Sequence, residues 1–150
     1  MTMFSHTETL AALRALLVTA SGLPDASHRA WENDDFSAPV DEVYIKDEFV
    51  PAAATLHTIT ANGVLERNGL YIVTWVGLAN TGDDDVLAGA DAILAVFPPG
   101  LGSPMMSGLT LRIRGDVAPF AGQVINDANA RACCQITVPW RVYSLNAVSA

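Results

Sequence analysis

A run of three carboxylates, Asp83, Asp84 and Asp85, has the side-chain type that binds hard cations, because Mg²⁺ and Ca²⁺ take oxygen ligands. The run follows a Thr-Gly pair and precedes apolar residues at helical spacing. At a helix N-terminus the backbone dipole favours negative charge, so helix capping is the second interpretation. Consecutive residues rarely converge on one ion and the calcium-loop spacing is missing, so the pattern favours capping.

Histidines and cysteines are the other side chains that could carry a reaction. His6, His28 and His57 are scattered, and each could be a general base beside a carboxylate or an ordinary surface residue. Cys133 and Cys134 are neighbours, so on a strand their thiols point to opposite faces and cannot form a disulfide without distortion. Burial of two free thiols is favoured over a vicinal redox or metal pair, because a zinc site usually needs four ligands. No metal or cofactor is expected.

Composition narrows the function classes further. The chain is 51% apolar and 16% charged, which suffices for the core of one domain over residues 1–150. Its net charge of −8 disfavours binding to nucleic acid through phosphate contacts. The sequence has no phosphate-binding glycine loop, no nucleophile elbow, no export signal and no apolar stretch of membrane-spanning length. We therefore expect a soluble protein that is not an enzyme.

Two helices are predicted to position these side chains. Ser5 and Glu8 have capping-box spacing, in which the hydroxyl and the carboxylate each accept a backbone N–H. Apolar residues at spacings of three and four then continue over residues 10–20. The second helix covers residues 84–97 and ends at a Pro-Pro-Gly sequence.

Strand patterns occupy most of the remaining chain. Residues 43–50 are strand-like, although Asp47 falls on the otherwise apolar face. Asn-Gly pairs at 62–63 and 68–69 are typical of tight hairpin turns. Residues 70–76 are apolar on both faces, which predicts burial on both sides by helices or by another subunit. Trp75 in this strand is a candidate subunit-contact residue.

The strand of residues 109–117 has the most regular alternation, with Arg112 and Arg114 on its polar face. A salt bridge between subunits is favoured for these arginines over a solvated strand face. The last strand, residues 132–143, contains Pro139, which suggests an edge position or a bulge. The pattern predicts an α+β fold with a mainly antiparallel sheet of about four to six strands covered by two helices.

Residues 31–39, W-E-N-D-D-F-S-A-P, form a more specific pattern. They resemble the W-x-N-x-x-F-x-x-P segment of the tail terminator, or tail completion, proteins of long-tailed siphovirus-type phages. The order of later elements is similar too, with a strand opened by a glycine and a helix that ends in Phe before a Pro/Gly loop. The two Asn-Gly pairs and the acidic triplet depart from the family pattern. The residues that carry the resemblance are Trp31, Asn33, Phe36, Pro39, Gly69 and Phe97.

The resemblance implies an α+β fold and a structural virion protein that forms a homohexameric ring. Such a ring caps the tail tube protein, terminates its polymerisation and joins it to a head-tail connector or neck protein, after assembly in the host cytoplasm. Double-stranded DNA passes through the lumen without specific binding, and an acidic lining suits this role because carboxylates repel phosphate. Candidate residues of the lumen or of an acidic face are Asp83, Asp84 and Asp85, with Asp34 and Asp35 as a second group.

Two other functions remain open on the sequence alone. The chain could be another neck protein or a tube-like subunit of related fold. A small metal-dependent or acid-base enzyme would use His28 or His57 with the carboxylates near Asp83.

Overall fold

The computed structural model describes residues 4–39, 41–56, 63–79, 82–127 and 129–145. Its elements, in chain order, are α1 (His6–Leu17), a short 3₁₀ helix (Ala26–His28), β1 (Arg29–Ala30), β2 (Tyr44–Pro51), β3 (Thr55–Leu56), β4 (Val64–Ala79), α2 (Asp84–Ala95), β5 (Gly102–Pro104), β6 (Thr110–Ile113), β7 (Phe120–Ala121), β8 (Ile125–Asn126) and β9 (Arg131–Leu145).

All strands in this part of the chain belong to one sheet. The order is β1-β2-β4-β9-β6-β5, with β3 beside β4 and with β7 and β8 beside β9. Only β1 and β2 pair in parallel. The predicted α+β class and mainly antiparallel sheet are therefore confirmed. The nine strands of the described residues exceed the prediction because five of them have only two or three residues, too few to leave a periodic pattern.

Both helices pack on the same face of the sheet. Leu13 and Leu17 of α1 and Val86, Ala90 and Ile93 of α2 are buried there. The strand residues beneath them alternate with residues that point the other way. The buried side, or helix face, comprises Ile45, Asp47, Phe49, Gly69, Tyr71, Val73, Trp75, Leu111, Ile113, Cys134, Ile136, Val138, Trp140 and Val142. The opposite side, or open face, comprises Tyr44, Lys46, Glu48, Val50, Val64, Glu66, Asn68, Leu70, Ile72, Thr74, Val76, Thr110, Arg112, Phe120, Ile125, Cys133, Gln135, Thr137, Pro139, Arg141 and Tyr143.

The helix N-termini differ in detail from the predicted caps. Ser5 Oγ accepts the backbone N–H of Glu8 at 3.2 Å, as expected. The Glu8 carboxylate instead accepts the N–H of Ser107 at 2.7 Å, so it ties α1 to a distant loop rather than closing a capping box. Asp83 occupies the N-cap of α2 but its side chain makes no capping hydrogen bond. Its charge, with Asp84 and Asp85 in the first turn, still lies at the positive end of the helix dipole.

The second predicted hairpin turn is wrong. Asn68 and Gly69 lie inside β4, paired with Arg141 and Trp140 of β9. A Cβ at Gly69 would lie 2.4 Å from the Val50 carbonyl oxygen and 2.8 Å from the Trp140 ring, so this glycine serves close packing. The first turn involves residue 62, which lies outside the described residues.

The expected edge position of Pro139 is also wrong, because β9 lies between β4 on one side and β6, β7 and β8 on the other. The Pro139 carbonyl accepts the N–H of Arg114 at 3.0 Å. The N–H and C=O of a strand residue point to the same neighbouring strand, so the side of Pro139 that lacks an N–H faces away from β4. On that side β6 ends at Ile113 and β7 begins at Phe120, which leaves a gap in the pairing. A central strand thus tolerates proline at this gap.

The strand of residues 70–76 is buried fully on one side only. Tyr71, Val73 and Trp75 lie under the helices, with Trp75 only 7% exposed. On the other side Val76 is buried, but Leu70 is 37% exposed. The prediction of burial on both faces therefore holds for the helix face, and the open face remains partly accessible.

The two cysteines lie on opposite faces of β9, as predicted, and both are buried and free. Burial raises the pKa of each thiol above its usual value. Because thiolate is the reactive form, we expect a thiol reagent at pH 7 to label native protein far more slowly than protein in urea. Mass spectrometry of timed samples checks this, and fast labelling of the native protein would contradict the burial.

Candidate functional site

The motif segment, residues 31–39, wraps around the β2 side of the sheet. Trp31 lies on the helix face, where the Arg14 guanidinium stacks over its ring at 5.0 Å. Asn33 adopts a left-handed conformation with φ of 64°, and the Asp34 N–H donates to the Trp31 carbonyl at 3.0 Å. Asparagine tolerates this conformation better than most residues, so it suits the turn. Phe36 then contacts Tyr44 on the opposite side of the sheet, with ring centroids 5.4 Å apart.

Asp47 holds the first half of this segment in place. Its side chain is only 1% exposed. It accepts from Arg14 Nε at 2.7 Å and Nη2 at 3.2 Å, from the Tyr71 hydroxyl at 2.9 Å and from the Glu32 backbone N–H at 2.8 Å. One carboxylate therefore joins α1, the motif segment, β2 and β4. The polar residue that interrupts the apolar face of β2 is the sequence signal for this site.

The protonation states of the Asp47 partners follow from their surroundings. The hydrogen bond to Asp47 raises the pKa of the Arg14 guanidinium above its usual value. Burial, together with the nearby Asp47 charge, raises the pKa of the Tyr71 hydroxyl far above its usual value. Tyr71 therefore donates as a neutral phenol and Arg14 is the cation that balances Asp47. This arrangement stabilises structure rather than activating a nucleophile.

Glu32 fixes the motif segment to the outer edge of β2. Its backbone N–H donates to Asp47, and its carboxylate accepts the N–H of Phe49 at 2.7 Å. A free strand edge is a template for pairing with other chains. The Glu32 carboxylate accepts the Phe49 N–H, so this donor of the β2 edge is no longer available to another chain.

Arg131 holds the second half of the segment. Its guanidinium donates to the carbonyl oxygens of Gly77 at 2.8 Å and Pro39 at 2.6 Å, and also to that of Glu42. The same group stacks on the Tyr44 ring at 4.9 Å. Pro39 thus matters here through its backbone, and Arg131 was not singled out by sequence reasoning.

The remaining motif residues are core residues. Phe97 is fully buried and meets the Tyr71 ring at 6.2 Å in an edge-on arrangement. Gly69 makes room for Trp140, whose ring stacks on Phe49 at 5.3 Å. All the residues of the motif for which contacts are described therefore position the fold.

The open face carries most of the exposed large apolar side chains. Among the described residues, six of eleven such side chains lie on this side of the sheet: Val50, Val64, Leu70, Phe120, Ile125 and Tyr143. Phe120 is 52% exposed and Leu70 37%. No helix covers this face in the described part of the chain. Exposed apolar side chains concentrated on one side of a sheet make that side the candidate site for contact with another molecule.

Three arginines border this apolar surface. Arg114 already pairs with Asp116 within the chain, through bonds of 3.1 and 2.7 Å. This bond and the nearby charge lower the pKa of the Asp116 carboxyl well below its usual range. Arg141 lies 3.7 Å from Glu66. Arg112 is exposed, and within the described ranges it has no carboxylate partner. Of the two arginines singled out from sequence, Arg112 is the one available to another molecule.

Trp75, by contrast, is a core residue. Its ring lies against Gly89 of α2, where an added Cβ would come within 2.4 Å. This burial within one chain argues against the sequence interpretation of Trp75 as a subunit-contact residue. Alternation alone could not tell which apolar face of residues 70–76 the helices would cover.

The acidic residues lie together on α2. Asp83, Asp84, Asp85 and Asp91 are all exposed. No lysine or arginine occurs anywhere between Arg67 and Arg112. The charged side chains of α2 are therefore all carboxylates. Asp34 and Asp35, the other candidate pair, are exposed in the motif segment.

Of the two histidines in the proposed catalytic combination, the described one does not lie beside the acidic triplet. His28 Nε2 lies 2.8 Å from Glu42, not beside the α2 carboxylates. His57 lies outside the described residues. The part of the chain that the structure describes contains no group of three or more His, Cys, Asp or Glu arranged to hold a metal ion. Nor does any helix within it have the length and apolar character to cross a membrane.

Comparisons with known proteins bear on the whole chain. Six chains of solved structures match; one has a TM-score of 0.71 at 24% identity and covers 93% of this chain and 96% of its own. That likeness shows the fold. A comparison with curated proteins finds no match. The family model described as phage tail terminator protein matches residues 8–140, from α1 to Trp140 on β9. The chain therefore belongs to the phage tail terminator family and is a structural protein of the phage tail.

Proposed function

We propose that copies of this chain form a closed, hexameric ring on the end of the tail tube. The ring stops polymerisation of the tube protein and offers its other end to a head-tail connector or neck protein. Family membership over residues 8–140 carries this proposal. Assembly takes place in the host cytoplasm, and the finished ring belongs to the virion.

The partly uncovered sheet supports an assembly role. Closed rings need a heterologous interface, in which one surface of each copy meets a different surface of the next. The open face supplies exposed apolar side chains such as Leu70 and Phe120 for such an interface. It is accessible because both helices pack on the other side.

The charge of the chain supports passage of DNA through the ring. A net charge of −8 repels phosphate, so DNA moves through an acidic lumen without being held. The candidate lining residues, the α2 group and the pair Asp34 and Asp35, are exposed.

We expect purified protein to have six times the 15.9 kDa mass of one chain. Multi-angle light scattering measures this mass, and negative-stain images should show single rings. Added to tails that lack this protein, the rings should cap tube ends and restore joining to heads. Long cylinders would instead indicate a tube-like subunit. A monomer at high concentration that does not bind tube ends would contradict the proposal.

A further inference from the structure

We propose that the exposed surface of α2 on one copy docks on the open face of the next copy. This inference rests on the proposed function, in that it assumes that copies assemble into a ring. The α2 surface, here called the acidic stripe, consists of Asp84, Leu87, Ala88 and Asp91, all of them exposed. Their spacings of three and four place them along one side of the helix.

The apolar parts of the two surfaces match in character. Leu87, 42% exposed, lies in the middle of the acidic stripe beside Ala88. On the open face, Val50 and Leu70 occupy neighbouring register positions, and Leu70 is opposite Pro139. Each surface therefore offers an apolar centre that another copy can bury, as the core of a protein interface requires.

Their charges are complementary. The stripe carries two carboxylates and no cation, whereas the open face carries Arg112 without a carboxylate partner among the described residues. Lys46, the one lysine of the chain, is also exposed on that face, but Glu48 beside it is exposed too and offsets its charge, so the pairing rests on Arg112. Asp84 and Asp91 are about 10 Å apart along the helix axis, at about 1.5 Å per residue. They can therefore flank Leu87 while one of them meets Arg112, and such pairing fixes the register of an interface.

The placement of the two surfaces also suits a ring. The helix lies on one side of the sheet and the open face on the other, so the surfaces point in opposite directions on one copy. Docking them joins copies head to tail, the arrangement that closes into a ring when the rotation between copies permits. With α2 in the interface, the lumen lining falls to the other candidate pair, Asp34 and Asp35, which are exposed in the motif segment.

A charge-reversal experiment tests the pairing. The face variant is Arg112→Glu and the stripe variant is Asp84→Lys/Asp91→Lys. Each alone should raise the concentration for half-assembly at least ~10-fold, because like charges then meet at every interface. A mixture of the two variants in equal amounts should restore rings of even subunit number, since swapped and native interfaces then alternate. Asp25→Arg is the matched control. Asp25 is exposed, belongs neither to the acidic stripe nor to the open face, and makes no capping hydrogen bond with its side chain.

Light scattering and circular dichroism distinguish the outcomes. If wild-type protein forms rings that both variants leave intact, or if the mixture of folded variants stays dissociated, the pairing of surfaces is wrong and the ring stands. If the wild-type protein forms no ring, the proposed function fails first. Leu70→Asp tests the same face in another way, because it places a charge in the apolar centre of the proposed interface. It should dissociate rings, whereas Val18→Asp, at a similarly exposed residue at the end of α1, should not.

Discussion

Replacing Asp47 by alanine is expected to lower the free energy of unfolding by about 3–5 kcal/mol, the range for breaking a buried ion pair by removing one partner. In this variant Arg14 stays next to the core but has lost the Asp47 carboxylate that balanced its charge. It also leaves the Tyr71 hydroxyl and the Glu32 N–H without their acceptor. Domains of this size are stable by only about 5–15 kcal/mol, so much of the stability depends on this one side chain.

Asp47→Asn should cost less than Asp47→Ala. The amide oxygen can still accept the two hydrogen bonds made to one of the carboxylate oxygens, and the side-chain volume is kept. The amide removes the charge that balances Arg14, however, and its NH₂ group cannot accept. Both variants should also release Trp31 from α1, because the Glu32 N–H bond and the Arg14 position hold that ring. Tryptophan fluorescence in a urea titration reports both effects.

The exposed pair of Arg114 and Asp116 is the matched control. Its shortest bond is 2.7 Å, the same as that between Arg14 and Asp47. Solvent screens it, since Asp116 is more than half exposed. Asp116→Ala should therefore leave the urea midpoint nearly unchanged. Equal losses for Asp47→Ala and Asp116→Ala would contradict the assignment of Asp47 as a buried anchor.

Much of the fold could be predicted because helices and long strands have regular patterns. The periodic apolar residues of α1 and α2 predicted which side of each helix is buried. Pro98 predicted the end of the second helix to within a few residues. The turn at Asn33 was predictable from the residue types that tolerate such a conformation. These signals are local, so they survive without knowledge of the tertiary contacts.

The errors arose where the tertiary contacts override a local signal. Asn68-Gly69 has the composition of a hairpin turn, yet the pairing with β2 and β9 keeps it inside a 16-residue strand. Pro139 is tolerated centrally because two different short strands leave a gap beside it. No pattern along one strand reveals which strands will flank it.

Parts of the open face and of the motif segment's anchor were predictable. The alternation of residues 109–117 placed Arg112 on a polar face, but the sequence could not show that Arg114 has Asp116 as a partner. Asp47 was visible as a carboxylate on an apolar face, whereas its four donor contacts come from residues 14, 32 and 71, far apart in the chain. These donors meet at Asp47 only when the sheet and the helix have packed together, so the sequence alone could not show it.

The second large effect is expected for Gly69→Ala, which should lower the free energy of unfolding by roughly 2–3 kcal/mol, the upper part of the range for overpacking. The added methyl group would lie 2.4 Å from the Val50 carbonyl oxygen and 2.9 Å from Cα of Pro51. Both atoms belong to the backbone of the neighbouring strand, so no change of rotamer relieves the contact. The Trp140 ring, fully buried on the other side, cannot withdraw either.

The expected fall in melting temperature is roughly 4–12 °C, since each kcal/mol shifts a domain of about this size by ~2–4 °C. Gly115→Ala is the control, because its nearest neighbour to an added Cβ is 3.8 Å away, an ordinary contact distance. Calorimetry compares the melting temperatures of the two variants, one at a glycine without room for a Cβ and one at a glycine with room for it. If both variants melt at the wild-type temperature, β2 and β9 do not enclose Gly69 as described. A selective loss at Gly69 would show that this glycine is required because the backbone of β2 and the Trp140 ring close against it.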